Sequence, residues 1–210
     1  MSFTLSKDYE AAAEGAYFTS WIAATAGTTT ATTTQALGTT APALVMFNDQ
    51  PVGGKSIYMR YAEFIATAVV TGTTSVEHVG VLNSGSIHTT VGTLMSTPVN
   101  VNGDSGAGSL TKLYGGVNVC STPAAASRIV HTGTLSNSIP IVLDIWRLVY
   151  GEDVTSPLSM IGTMTLVKKI NASLPPVIIP PKTYYTLGFW GASWQAAAMT
   201  WRFSVGWIER

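Results

Sequence analysis

From residue 43 to the C-terminus, short apolar and β-branched runs alternate with turn sequences rich in Gly, Asn, Asp and Pro. The last run has large apolar residues at every second position and small or polar residues between them. The apolar set is Trp201, Phe203, Val205 and Trp207, and the other set is Thr200, Arg202, Ser204 and Gly206. Successive side chains of a strand point to opposite faces. The pattern therefore predicts a strand with one face in the core and Arg202 on an outer face open to contacts.

About ten further segments have strand character, and turn signals separate them. The predicted strands cover 43–47, 56–70, 77–82, 87–95, 110–119, 128–135, 139–149, 159–170, 177–179, 184–189 and 198–207. No helical pattern lies between them, which argues against an α/β fold. The chain is therefore predicted to be all-β, an antiparallel β-sandwich or jelly roll.

The N-terminal part of the chain has a different character. Residues 8–21 give the best helical pattern, and Gly15 limits any helix there to a short one. Residues 25–41 are uncharged and rich in Thr, which disfavours a helix and suits an extended chain. We predict an extended N-terminal arm over 1–42 that orders against a neighbouring subunit, followed by a sandwich domain over 43–210.

The strand predicted over 139–149 is apolar on both of its faces. Trp146 and Leu148 lie on one face, and Ile145 and Val149 lie on the other, interrupted by Arg147. A strand covered on both sides is central in a sandwich or lies beneath a subunit contact. Trp146 is therefore a candidate interface residue.

The composition favours a surface that other subunits cover. Hydrophobic residues make up 46% and charged residues 10% of the 210 residues, and the net charge is zero. Soluble domains are roughly 25% charged, and a surface with so little charge does not keep copies apart. The scattered Lys and Arg residues form no basic stripe of the kind that nucleic-acid binding requires, and no apolar run reaches the ~18 residues of a membrane span.

The expected compartment follows from the cysteine count and the first residues. Cys120 is the only cysteine, so no disulfide can form within the chain. Residues 1–10 contain Lys7, Asp8 and Glu10 and lack the apolar core of a secretory signal. We expect folding in a reducing cytosol.

Two glycine-containing motifs partly match known functional loops. Gly54-Lys55-Ser56 lacks the earlier glycine and the following helix of a phosphate-binding loop, so a turn into a strand is favoured. Gly103-Asp104-Ser105-Gly106 resembles the nucleophile loop of chymotrypsin-like proteases. No carboxylate lies between His78 and this loop in the order that such a triad needs, so a solvent loop is favoured.

The other titratable residues give weak signals of a catalytic or metal site. His78, His88 and His131 lie on separate predicted strands without the spacing of metal ligands, and each is interpreted as a hydrogen-bonded surface or interface residue. Glu152 and Asp153 are adjacent, so on an extended chain their carboxylates point apart. We expect no enzymatic activity, no cofactor and no metal.

Aromatic residues are densest near the C-terminus. Trp190 and Trp194 flank a short Gly-Ala-Ser loop and are the candidates for exposed contacts. Such rings either bury area at an interface or core, or stack against sugars as in a lectin.

Two segments resemble structural proteins of tailed bacteriophages. In the first, an apolar strand ends at Asn48-Asp49-Gln50-Pro51, and Gly54-Lys55-Ser56 opens a long strand. In the second, residues 181–188 precede the alternating C-terminal strand, as in the closing hairpin of jelly-roll virion proteins. The resemblance covers about half of the chain and carries no catalytic residue.

The resemblance implies a virion structural protein, most plausibly a decoration or cement protein on the capsid surface. Such proteins often form trimers. We therefore expect a homo-oligomer, with a trimer favoured, that contacts the major capsid protein or another virion protein and binds neither nucleic acid nor membrane. The alternative is a carbohydrate-binding virion protein that recognises a receptor.

Overall fold

The computed structural model describes residues 6–22, 28–29, 42–68, 76–83, 88–90, 93–115, 119–120, 128–136, 145–151, 169–190 and 199–210, and at several strand ends it describes the backbone alone. Within these residues one helix, α1, spans Lys7–Ala13. The strands in chain order are β1 Tyr17–Trp21, β2 Thr28–Thr29, β3 Leu44–Asn48, β4 Ile57–Ala68, β5 Val76–Asn83, β6 His88–Thr90, β7 Thr93–Leu94, β8 Val99–Asn100, β9 Thr111–Gly115, β10 Val119–Cys120, β11 Arg128–Ser136, β12 Ile145–Tyr150, β13 Lys169–Leu174, β14 Ile178–Ile179, β15 Tyr184–Trp190 and β16 Met199–Glu209.

The strands form two main sheets. The eight-stranded sheet has the order β13-β12-β4-β16-β1-β8, with β14 paired to β4 and β2 paired to β16. The six-stranded sheet has the order β11-β5-β15-β3-β9-β7, and β6 pairs with β10 separately. The pairing of β12 with β13 is parallel, and the other described pairs are antiparallel. The predicted all-β sandwich is confirmed, with this one parallel pair as a departure.

The predicted strands agree with the observed ones to within a few residues wherever both are described. The segment predicted over 87–95 contains β6 and β7, and the segment predicted over 110–119 contains β9 and β10. Residues 139–144 and 159–168 of two predicted strands lie outside the described residues, as do Glu152 and Asp153.

The core lies between the inner faces of the two sheets. Trp146, Phe203 and Trp207 of the eight-stranded sheet are fully buried and share one cluster with Leu44 and Tyr185 of the six-stranded sheet. The alternation predicted for the last strand is confirmed for its described side chains, because Phe203, Val205 and Trp207 are buried and Arg202 is exposed. The side chain of Trp201 is not described.

Helix α1 ends in a hydrogen-bonded C-terminal motif that turns the chain into β1. The Ala16 N–H donates to the Ala11 carbonyl (2.8 Å) and the Gly15 N–H to the Ala12 carbonyl (3.0 Å), which is the Schellman pattern. Gly15 has φ 68°, and a Cβ there would lie 2.3 Å from the Ser105 hydroxyl. The helix is therefore as short as Gly15 predicts, and residues 17–21 form a strand.

The prediction of an N-terminal arm over 1–42 is wrong for residues 6–22. Strand β1 lies inside the eight-stranded sheet, between β16 and β8. Phe18 and Ile22 are buried in the main core, and Phe18 stacks on Trp207 at a centroid distance of 6.1 Å. Burial of Phe18 and Ile22 places residues 17–22 within the domain.

The Thr-rich part of the predicted arm is described only at Thr28 and Thr29. These residues pair with Thr200 and Met199 of the same chain. Strand addition therefore occurs at this chain's own sheet, and residues 23–27 and 30–41 lie outside the described residues.

The buried position of Trp207 generates a stability prediction. We expect Trp207→Ala to lower the free energy of unfolding by about 3–5 kcal/mol, because a large ring is lost from a packed core. Arg202→Ala, on the exposed face of the same strand, should change it by less than about 0.5 kcal/mol. Urea denaturation followed by fluorescence measures both values, and equal effects of the two changes would contradict the assignment of faces.

The position of β1 generates a second prediction. Deleting residues 1–22 should prevent stable folding, since each of Phe18 and Ile22 contributes about 2–5 kcal/mol as a buried side chain, which together is comparable with the ~5–15 kcal/mol stability of a domain. Deleting residues 1–5 is the matched control and should leave the melting temperature within a few degrees. A soluble, cooperatively folded product of the longer deletion would contradict this account of β1.

Candidate functional site

The outer faces of the two sheets differ in how much of their surface is buried. On the six-stranded sheet, the outward side chains of Val45, Val79 and Val81 are at most 3% exposed. On the eight-stranded sheet, the outward side chains beyond the reach of α1 are mostly half-buried or exposed. The eight-stranded sheet therefore offers the larger accessible face among the described residues.

Helix α1 covers one end of that face. Ala11 and Ala16 pack against Ile208 and Tyr17. Arg60 Nε lies 2.8 Å from Asp8 Oδ1 and ties the helix to β4. Burial, reinforced by the negative charge of Asp8, raises the pKa of the Tyr17 hydroxyl to about 12.

We define the open face as the outward positions of five adjacent strands that α1 leaves uncovered. Cross-strand pairing brings these positions side by side. They are Val99 on β8, Thr19 and Trp21 on β1, Arg202 and Ser204 on β16, Tyr61, Glu63 and Ile65 on β4, and Ile145, Arg147 and Val149 on β12.

The centre of the open face is a packed group of one tyrosine, one arginine and one glutamate. The Tyr61 ring lies flat over Gly206, where a Cβ would come within 2.3 Å of the ring. The Arg147 guanidinium lies 4.5 Å from the centroid of the Tyr61 ring, and its Nη1 lies 3.9 Å from a Glu63 oxygen. Arg147 Nε is buried and donates no hydrogen bond within the described residues.

One margin of the open face is apolar and exposed. Trp21 is 47% exposed and Val99 is 44% exposed, and the register Thr19↔Val99 places β8 directly beside β1. A shallow cavity of about 240 Å³ follows at the end of α1, lined by Asp8, Tyr9, Ala12, Tyr17 and Val101. Exposed apolar side chains grouped at a sheet margin are typical of contact surfaces.

The four candidate interface residues have different positions in the structure. Arg202 is exposed and belongs to the open face. Trp146 is completely buried within the core of the chain, so its side chain is not available to a partner. Its position is that of a residue in a central strand and not of a residue beneath a subunit contact. Trp190 ends β15, opposite Glu77, and its side chain is not described. Trp194 lies outside the described residues.

The sequence interpretation missed the margin formed by β1 and β8. Tyr17, Thr19 and Trp21 occupy alternate positions opposite the buried Phe18 and Ser20. This alternation with a period of two was the sequence signal for strand β1. The helical pattern assigned to residues 8–21 overlapped it and hid it.

Two histidines and two tyrosines form a buried chain of hydrogen bonds between the sheets, which we name the His–Tyr chain. His78 Nδ1 and His131 Nδ1 are 3.2 Å apart. His131 Nε2 lies 2.7 Å from the Tyr185 hydroxyl, which lies 2.8 Å from the Tyr150 hydroxyl. The four residues come from β5, β11, β15 and β12, so the chain crosses from the six-stranded to the eight-stranded sheet.

Glycines on the opposing strands make room for both imidazoles. His78 pairs with Gly133 and His131 pairs with Gly80. A Cβ on Gly80 would lie 2.1 Å from the His131 ring, and one on Gly133 would lie 3.0 Å from the His78 ring. Each ring therefore lies across the neighbouring strand.

The interpretation of these two histidines as surface or interface residues was wrong. His78 is 1% exposed and His131 is 6% exposed. Burial lowers the pKa of His78 to about 4, and burial together with the nearby His78 lowers the pKa of His131 to about 3. Both imidazoles are therefore neutral near pH 7. The residues are distant in sequence, and only strand pairing brings them together.

A buried carboxylate joins the C-terminal strand to the opposite sheet. Glu209 is 2% exposed, and its Oε1 accepts hydrogen bonds from Trp207 Nε1 (3.0 Å), Thr111 Oγ1 (2.9 Å) and the Ser109 hydroxyl. Gln50 Nε2 approaches Oε2 at 3.5 Å. These donors satisfy a charge that would otherwise be costly to bury.

The turn between β3 and β4 is organised by the buried Asn48. Its side-chain amide donates to the Lys55 carbonyl (3.0 Å) and the Ile179 carbonyl (2.9 Å), and its oxygen accepts from the Gln50 N–H (3.2 Å). Asp49 forms ion pairs with Lys112 (2.7 Å) and Lys182 (2.6 Å), whose hydrogen bonds lower the pKa of its carboxyl group. The segment that contains Lys55 is thus a turn that leads into a strand.

The loop that resembles a protease nucleophile loop packs against α1. Ser105 Oγ accepts hydrogen bonds from the Ala107 N–H (3.2 Å) and from Asn100 Nδ2 (3.3 Å). The Asn100 amide also donates to the Gly15 carbonyl at 2.7 Å. Ser105 therefore stabilises the loop through these hydrogen bonds.

Across the described part of the chain, no three His, Cys, Asp or Glu residues lie close enough to hold a metal ion, and no helix is long and apolar enough to cross a membrane. Comparison with protein-family models, curated proteins and solved structures finds no match.

The Glu209 cluster generates a prediction. Glu209→Gln should lower the free energy of unfolding by about 1–3 kcal/mol, because hydrogen bonds to a charged acceptor become neutral ones of roughly half the strength. Glu14→Gln is the control: Glu14 forms an exposed ion pair with Arg210 (2.7 Å), and such pairs contribute about 0–1 kcal/mol. Urea denaturation near pH 7 compares the two, and a larger effect at Glu14 would contradict the assigned role.

Proposed function

We propose that the chain is a non-enzymatic structural subunit of a virus particle, which decorates or cements the capsid through subunit–subunit contacts. The observation that carries the proposal is the open face. Its apolar margin at Trp21 and Val99 and its half-buried Ile65, Ile145 and Val149 leave apolar area accessible on the part of the eight-stranded sheet that α1 does not cover. An accessible sheet face of this kind favours binding to another protein surface.

Self-association is the form of binding that the charge pattern supports. The chain has 11 basic and 11 acidic residues and no net charge, so copies do not repel one another. Glu63, Arg147 and Arg202 lie on the open face together, so that a second copy can present both signs of charge to it. We propose a homo-oligomer, with a trimer favoured.

The polar groups of the interior also agree with a structural role. The imidazoles of His78 and His131 and the carboxylate of Glu209 are each hydrogen-bonded to other groups of this chain. Their bonds link strands of the two sheets. These contacts are what a rigid building block requires.

The virion assignment rests on the resemblance of two segments to tailed-phage structural proteins. Those segments form β3, its turn and β4, and then the turn before β15 together with β16. Beyond the oligomer, the proposed partners are the major capsid protein or another virion protein, and the proposed location is the capsid surface.

The competing proposal is carbohydrate binding at a receptor. One observation favours it: Tyr9, Tyr17 and Asp8 line the same shallow cavity. Aromatic rings can stack on sugar C–H groups while a carboxylate accepts hydroxyl hydrogen bonds.

Sedimentation velocity tests the oligomer proposal. We expect the purified chain to sediment as a trimer at micromolar concentration. Trp21→Lys should weaken the association at least about tenfold, since a charged group replaces an apolar contact worth more than ~1 kcal/mol. Val52→Lys is the control, because Val52 is 89% exposed in the turn after β3, away from the open face. A monomer at all concentrations, or equal effects of both changes, would refute the proposed interface.

Two further measurements separate the virion and carbohydrate proposals. The chain should be found with capsids when particles of the encoding virus are banded on a density gradient. On a glycan array, the carbohydrate proposal requires binding that Tyr9→Ala abolishes without changing the oligomer. Glycan binding by the intact chain with no association with capsids would replace the structural proposal.

A further inference from the structure

The His–Tyr chain ties an edge strand to the rest of the sandwich. Within the described residues, β11 pairs with β5 alone, whereas β5 pairs with both β11 and β15. The register of β11 shifts twice, between Ile129 and His131 and between Thr134 and Ser136. Edge strands and bulged pairings are the weakest parts of a sheet. The side-chain contacts that β11 makes with the core are therefore more important for holding it on the sheet than those of a central strand.

Those inward contacts centre on His131. Val130 packs against the main core as a partly buried residue, and His131 bonds to His78 and Tyr185 inside it. Ile129, which is 49% exposed, and Thr132 face away from the core. Loss of the His131 contacts would leave the described part of β11 with its ladder of backbone hydrogen bonds and the packing of Val130.

We propose that the His78–His131 pair is an acid-sensitive latch that holds β11 on the six-stranded sheet and releases it when the imidazoles take up protons. With both rings neutral, one Nδ1 donates and the other accepts across the 3.2 Å separation. When both rings are protonated, two N–H donors and two positive charges face each other at that distance. The closed arrangement then loses its hydrogen bond and gains repulsion.

No carboxylate among the side chains that the structure describes interacts with the pair to compensate a positive charge. Among the described side chains, the titratable groups that face the pair are Tyr185 from β15 and Tyr150 from β12, both of which are hydrogen-bonded hydroxyls inside the core. Arg128 lies at the exposed start of β11. At the backbone level, Glu77 adjoins His78 in β5, and Lys169 begins β13, which approaches β11 from the other sheet.

The direction of the pH effect follows from proton linkage. The ordinary imidazole pKa is about 6.5, and burial lowers the pKa of His78 to about 4 and that of His131 to about 3 in the closed structure. Between these values and 6.5, an open β11 binds protons that the closed form does not bind. Lowering the pH through this window therefore favours opening.

Linkage also sets the size of the effect. For one histidine whose pKa falls from about 6.5 to about 4 on closing, the opening equilibrium at pH 5 is about 30 times larger than at pH 8. Two independent histidines give a factor of about a thousand. Opening exposes the unpaired backbone groups of β5, which could then pair with a strand from another chain.

Hydrogen–deuterium exchange of the full chain tests the latch. After correction for intrinsic exchange rates, the protection factors of residues 128–136 should fall by about a thousandfold between pH 8 and pH 5, while β4 and β16 change much less. His78→Asn keeps an amide where Nδ1 lies and removes one titrating ring, so the fall should shrink to about thirtyfold. His88→Asn, at the chain's third histidine, is the matched control and should keep the full fall.

A second measurement needs no variant. Imidazole proton shifts of the native chain, followed by NMR from pH 8 to pH 5, should show two histidines that do not titrate in the closed state. A titration of His78 or His131 near its ordinary pKa would overturn the latch. So would protection of residues 128–136 that does not depend on pH, equal loss of protection in β11 and β16, or an unchanged fall in His78→Asn.

Discussion

The pairing of β4 with β16 is the contact on which the rest of the sandwich depends. The two longest described strands run side by side from Ile57↔Glu209 to Ala68↔Thr200, and each also carries other strands on its free side. Phe64 and Phe203 meet edge to face across this pair at 5.0 Å. Because side chains alternate, this pairing places Phe64 and Phe203 in the core and Glu63 and Ser204 on the open face. A slip of one residue would exchange the two sets.

The same register brings polar groups into the interior, where each needs a partner. Glu209 continues the inward row of β16 and is held by the hydroxyls and the indole N–H around it. His78 and His131 are inward residues of two paired strands, and glycines opposite each leave space for the rings. Buried polar groups that are fully bonded make a particular arrangement of strands favourable.

The contrast between the two outer faces connects the fold to the proposed function. The six-stranded sheet buries Val45, Val79 and Val81 on its outer side and leaves Ile129 and Thr132 exposed at its β11 edge. The eight-stranded sheet is covered by α1 at one end and leaves Tyr61, Arg147 and Trp21 accessible. In the proposed function, contact with another subunit covers this face. The proposed edge release at β11 lies on the other sheet and does not require the open face.

The sequence by itself determined the class of fold and most of its strands. Alternation with a period of two and turn residues at the right spacing are local signals, and they located β3, β4, β5, β11, β15 and β16 to within a few residues. They also determined which side of β16 is inward, since large apolar side chains must leave water. The tertiary structure alone decided that residues 17–22 are a central part of the sheet, that Trp146 is buried inside the chain, and that His78 lies beside His131. Each of these depends on which strands pair and in what register, and pairing is settled by the joint burial of side chains far apart in sequence, which no local pattern contains.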